Sequence, residues 1–364
     1  MTASQLAACL RTGSAQDTAG VDVEALVTSA TRHNVAALVY VALRGGRSAA
    51  VDRLGRIARE HALMESVQRA DAIRVIEALG AAGISALLFK GTALAYSLYE
   101  EPWLRPRADT DLLIQEADAA RTAEILDGIG YARVPRPEGQ YVTHQFTYVG
   151  TADGIATAYD IHWRIADPQV FARALTFEGL QARSVAVPAL GTGARRVSDV
   201  DALVIACVHR VAHHYDDDQL IRTVDIDRLS RRLTSGDWDL FVEIATTACI
   251  RAVCGRGIAL SQDMFETPVP DSVVRALESA DGEPSATYLR PGLRKIDILY
   301  SDLRALTNTA ARVRLVREHL FPPLTVVSAD STNSARKFLK IGYLWRIIHG
   351  ASGWFKPLRP PEKT

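Results

Sequence analysis

The sequence reads as an α+β protein, with a small mixed sheet set between an N-terminal helical segment and a C-terminal helical domain. Two changes of hydrophobic periodicity carry that expectation. Up to about Gly80 the apolar residues recur every three to four positions, whereas from Ile84 short runs rich in Leu, Val, Ile, Tyr and Thr take over. From Ser198 the helical spacing returns. The plan is therefore helical over 1–82, α/β over 83–190 and helical again over 198–355, with a disordered, proline-rich tail over 356–364.

Within the first segment, 23–30 and 35–40 carry helical stripes. Residues 51–79, rich in Ala, Arg and Glu, form a long amphipathic helix that Gly80 and Gly83 end. Strands follow at 84–89, 111–114, 141–149 and 157–163, with a helix over 118–129 closed by Gly130. Pro188 and 191–193 mark a linker. Asp199 is placed to cap a helix over 201–214, since its carboxylate can accept from free backbone N–H groups. Helices over 220–233, 238–251 and 304–318 complete the chain, with a loop at 281–291 and a stop at Pro322 and Pro323.

Composition narrows the function classes. The 42 basic and 42 acidic side chains cancel, which gives no basis for general nucleic-acid binding. Cys9, Cys207, Cys249 and Cys254 form no CxxC pair, so reduced thiols are expected rather than a disulfide framework or a zinc ribbon. The N-terminus lacks a basic start followed by an apolar core, and no run reaches the roughly eighteen apolar residues of a spanning helix. A cytoplasmic protein is the expectation. Oligomeric state is not legible.

Chemistry concentrates in two short segments. Lys90, Gly91 and Thr92 follow an apolar strand. A glycine there lets the backbone approach a phosphate, and the Thr92 hydroxyl and nearby N–H groups can donate to it; the plainer alternative is a turn that needs Gly for geometry alone. Asp109 and Asp111 lie two apart at a strand start, so both carboxylates project to one face, where a divalent cation would relieve their repulsion. A solvated turn is the alternative. An EF-hand is excluded because Leu113 stands at the third ligand position. Asp160 sits in an apolar strand, where a lone carboxylate needs a partner. A metal shared with Asp109 and Asp111 would supply one, and Arg164 or solvent is the competing answer.

These residues resemble a known pattern. Lys90-Gly91-Thr92, Leu94, Tyr96, then Arg105-x-x-x-Asp109-x-Asp111-Leu112-Leu113 and finally Asp160-Ile161-His162-Trp163 are similar to the polymerase-β-type nucleotidyltransferase superfamily. More narrowly they resemble a bacterial group of uncharacterised nucleotidyltransferases. The resemblance runs from the N-terminal helices to about Phe321, and Gly91-Thr92 departs from the usual Gly-Ser or Gly-Gly. It implies a polymerase-β-like core in which Asp109, Asp111 and Asp160 hold Mg²⁺ (Mn²⁺ as substitute), with Asp160 as proton acceptor. It also implies that Lys90 and Arg105 neutralise phosphate charge, Arg105 by bidentate contact. Arg107 has a weaker claim.

His162, two residues after Asp160, either orients an acceptor or is a satisfied structural histidine; His144 and Gln145 are weaker cases. His209 and His213 share a helical face, with Asp225 and Asp227 downstream. The HExxH form of a zinc site is absent, so a hydrogen-bond network or part of an acceptor pocket is preferred. Segment 337–348 mixes cations with aromatics and reads as a packed final helix before it reads as a membrane or partner contact.

The expected activity is an Mg²⁺-dependent transfer of a nucleoside monophosphate from an NTP, with ATP the expected donor, to a small-molecule or peptide acceptor. A metal-dependent glycosyltransferase is the alternative, although it needs an N-terminal βαβ unit where this chain reads as helical. A non-catalytic nucleotide-binding scaffold is the third.

Overall fold

The computed structural model describes residues 1–13, 22–135, 139–278, 280, 282–321 and 353–358; segment 337–348 lies outside them. Among these residues the strands β1 (Leu87–Leu88), β2 (Thr110–Leu113), β3 (Ala132–Arg133), β4 (Gln145–Ala152), β5 (Ile155–His162), β6 (Val185–Ala186) and β7 (Arg195–Arg196) form one mixed sheet. Their spatial order is β3-β4-β5-β2-β1-β7-β6.

β2 lies in the middle, antiparallel to β1 and parallel to β5. The expected strands 141–149 and 157–163 are one hairpin that pairs down to Ala152 and Ile155. Asp153 and Gly154 both take positive φ, as a two-residue loop with matching twist requires, so pairing continues to the turn itself. The segment taken for a linker is the turn that joins two short strands of the sheet. Val185–Ala186 and Arg195–Arg196 pair across it, and β7 extends the sheet beside β1.

Strand alternation sorts the sheet into two faces. Leu88, Leu112, Tyr159 and Ile161 pack on the long helix Ala49–Ala81 through Ala72, Val75, Ile76 and Leu79, and on Leu126 of the helix Ala119–Gly128. On that side the buried Asp71 accepts from Tyr131, Tyr159 and Arg74. Leu87, Phe89 and Leu113 face the opposite way, onto the helix Asp199–Ala212 and its C-terminal neighbours. A third cluster joins the N-terminal helices to Leu220, Ile221, Val224 and Phe265. The clusters thus run across the three sequence segments.

Ser198, not Asp199, caps the helix Asp199–Ala212, its hydroxyl accepting from Asp201 N. The stretch 238–251 divides into Ser235–Thr247 and Arg251–Phe265 because Cys249 turns left-handed at φ 55°. Residues 281–291 hold a 3₁₀ turn at Pro284–Leu289, and the last expected helix is Thr309–Leu320. Of the tail, Pro357 pairs with Arg294 and Leu358 N donates to Leu293 O, so these two residues are anchored. Among the described residues, no helix is long and apolar enough to cross a membrane.

Candidate active site

Register builds the acidic wall of the site. Asp111 on β2 lies directly opposite Asp160 on β5, and Leu113 opposite His162. Alternation then turns Asp111, Asp160 and His162 to the sheet face that meets the C-terminal helices. Asp109, Asp111 and Asp160 line one cavity of about 410 Å³ with Lys90, Gly91, Arg105, His209 and His213. A roomier cavity of about 670 Å³ beside the helix Arg251–Phe265 is lined mainly by apolar side chains and has no convergent carboxylates, so size does not mark the site.

Asp111 is buried, and its Oδ1 takes two contacts. Lys90 Nζ stands 2.8 Å and His162 Nε2 3.0 Å from its Oδ1, and the two nitrogens are 3.3 Å apart. Burial alone pushes the carboxyl up. The Lys90 ammonium and His162 more than offset it and hold Asp111 far below the usual range. His162 is also lowered, because burial and then Lys90 favour the neutral imidazole against the pull of Asp111. Its ring meets Phe89 edge-on at 4.9 Å, which fixes its plane. Lys90 opens the helix Lys90–Leu98 at φ 54°, a left-handed conformation that costs a non-glycine residue on the order of 1 kcal/mol.

The side chains close enough together to hold one ion are not the expected trio. Among the described residues, the group whose ligand atoms all lie within 4.8 Å of one another is Asp111, Asp160 and His162. Asp109 is outside it, because it precedes β2 and escapes the strand register. It still feels the cluster: burial, then Asp111 and Asp160, raise its carboxyl to about 6. Asp160 accepts from Thr147 on the neighbouring β4.

Of the residues expected to contact nucleotide, Arg105 and Thr92 are engaged by other side chains, while Gly91 borders the cavity. Arg105 turns its Nε/Nη2 edge to Asp225, at 3.3 and 2.8 Å, and Tyr99 donates to the other oxygen of Asp225 at 2.6 Å. The bidentate edge is therefore spent inside the protein. Thr92 is fully buried, 3.5 Å from the Thr110 hydroxyl, because one helical position past Gly91 it faces β2 rather than the cavity. Gly91 does border the cavity, but a Cβ there would come within 3.2 Å of Arg105 Nη1, so the glycine makes room for that side chain. Arg107 is paired with Glu65 of the long helix and stacked near Tyr96, a structural role.

The opposite wall is made by the end of the helix Asp199–Ala212. His209 Nε2 lies 3.1 Å from His214 Nε2, and the His209 and His213 rings are 4.9 Å apart. Burial and then Lys90 push both His209 and His213 well below the usual imidazole range. Gln145 also reaches the cavity, whereas His144 is turned to Gln169. Asn34, His214, Arg222 and Asp225 line the cavity too. Asp225 had a signal in the sequence, downstream of the histidines; Asn34 and Arg222 had none. Asp227 points elsewhere, to Thr267 and Arg231.

No curated protein matches the sequence. The family described as uncharacterised nucleotidyltransferase matches residues 19–266, which takes in every strand and both walls of the cavity. The chain belongs to that family, and its activity is the transfer of nucleotidyl groups.

Proposed function

We propose that the protein moves a nucleoside monophosphate from an NTP, ATP being the expected donor, to a small-molecule or peptide acceptor and releases pyrophosphate. The observation that carries this reading is the convergence of Asp111, Asp160 and His162 in one cavity wall, with Asp109 beside them. The two carboxylates are oxygen donors that suit Mg²⁺ or Mn²⁺, and the His162 nitrogen is the one donor outside that oxygen preference. Their need for a cation is visible in Lys90, whose ammonium sits against Asp111 and His162. When bound, a divalent ion would neutralise phosphate charge and polarise the α-phosphorus.

The chain's own residues supply the rest. An acceptor oxygen attacks the α-phosphorus, the bond to the β-phosphate oxygen breaks, and the acceptor's proton passes to the carboxylate of Asp160. Lys90 keeps Asp111 ionised. Asp225 fixes Arg105, and through it the path of the chain entering β2, so catalysis rests on alignment and charge placement. The glycosyltransferase alternative is disfavoured by the antiparallel β1–β2 pairing and the helical N-terminus, which leave no βαβ nucleotide unit ahead of the Asp pair.

The test is incubation with each labelled NTP, with UDP-sugars in parallel, plus Mg²⁺ or Mn²⁺ and a cell extract. Pyrophosphate with a labelled product supports the reading. Turnover of UDP-sugars alone favours the alternative, and NTP binding without turnover on any acceptor favours a scaffold.

A further inference from the structure

The cavity has an unusual balance of spent and unspent groups. Each of the four Lys or Arg side chains that line it is already paired: Lys90 with Asp111, Arg105 with Asp225, Arg107 with Glu65 and Arg222 with Asp217. Among the described residues that line it, three carry a buried polar atom with no partner: Arg107 Nε, whose guanidinium is otherwise paired with Glu65, and His209 Nδ1 and His213 Nε2, which share the helix-end wall. Buried polar atoms are nearly always satisfied, so two orphaned imidazole nitrogens on one wall call for a ligand. The local field says which sign. Burial is the main reason both imidazoles stay neutral; beyond it, Lys90, His213, His214 and Arg222 oppose a proton on His209, and Lys90, His162 and His214 oppose one on His213 against the pull of Asp111. The helix-end wall is therefore short of an anion.

We propose that His209 and His213 form a phosphate-tail site, their unpartnered nitrogens donating to the terminal phosphate oxygens of a polyphosphate whose other end lies at Asp111 and Asp160. The inference rests on the NTP reading above and adds to it the groups that grip the tail. Neutral imidazoles suit the task, since each carries one N–H donor whose position is set by the tautomer. Arg222, beside His214, supplies positive potential behind them.

The experiment is calorimetric binding of ATP, AMP and inorganic tripolyphosphate to the full-length wild type and to His209→Ala, His213→Ala and His213→Gln. The expected result is a loss of at least tenfold in ATP and tripolyphosphate affinity in both Ala variants, an AMP affinity within twofold, and partial recovery in His213→Gln, which keeps a donor. Equal weakening of ATP and AMP, or unchanged ATP binding, overturns the proposal. If the wild type binds tripolyphosphate through these histidines but no NTP, the phosphate site stands and the nucleotide reading fails. Should the variants not fold, imidazole ¹⁵N shifts in the wild type on adding tripolyphosphate decide the matter: shifted His209 and His213 signals support the site, and unmoved ones sink it.

Discussion

The two walls of the cavity are built by different means. The acidic wall is strand-made: Asp111, Asp160 and His162 are neighbours because β2 and β5 are in parallel register, and a two-residue spacing keeps Asp160 and His162 on one face. The opposite wall is helix-made, with His209 and His213 brought in by the packing of the helix Asp199–Ala212 against the sheet. The first wall has surplus negative charge that draws in Lys90. The second has imidazoles kept neutral and nitrogens left without partners. The contrast teaches that the acids are preorganised by the sheet, while the groups facing them wait for something to arrive.

The sharpest way to break that contrast is to remove the acid at its centre. Asp111→Asn is expected to cut nucleotidyl transfer by a factor on the order of a thousand, read as pyrophosphate release per enzyme, since the site's charge placement is lost. Turnover near wild type would remove the acidic wall from the mechanism.

Next comes the cation. Lys90→Met leaves Asp111 buried without its strongest partner and is expected to cost about 3 kcal/mol in urea unfolding. Because the vacancy is cationic, millimolar Mn²⁺ should then raise the melting temperature of the variant more than that of the wild type. An equal rise in both would mean that Lys90 and a divalent ion do not compete for the same charge.

Asp109→Asn sharpens the comparison in the opposite direction. The folded carboxyl is raised from 3.8 to about 6, so the stability it contributes is present below pH 3.8 and lost as pH rises through about 6. The variant is therefore expected to be more stable than wild type at pH 8, by on the order of 3 kcal/mol, and no more stable at pH 3.5. Equal stability at pH 8 would mean that Asp109 is not held against the charge of Asp111 and Asp160.

The smallest effect is expected on the far side of Arg105. Tyr99→Phe removes one hydrogen bond to Asp225 and should cost about 1–2 kcal/mol in stability while transfer stays within a few-fold of wild type. A large loss of transfer would give the Asp225–Arg105 pair a role beyond positioning.

How legible each wall was follows from how each is made. A change of hydrophobic period is a local fact, so the α+β plan could be read from the sequence, whereas the two-residue spacing put Asp109 on a strand that begins only at Thr110. What could not be read is what each charge is spent on. Arg105 has the residue type and position of a phosphate ligand, yet its fork is taken by Asp225, 120 residues away. Lys90 is taken by Asp111, and Thr92 faces Thr110. His162 enters the ligand set only through the register of β5 on β2, which a single strand's spacing does not fix. Likewise β6 and β7 are two residues each around Pro188 and Gly191, too short to carry a strand period, and they read as a linker.

The most direct test is Mn²⁺ bound to the wild-type protein and observed by pulsed electron paramagnetic resonance. A single high-affinity ion with nitrogen hyperfine coupling, the coupling vanishing in His162→Gln and the ion itself lost in Asp160→Asn, is the predicted outcome. Mn²⁺ that binds all three proteins alike, or that shows no nitrogen in the wild type, would contradict it.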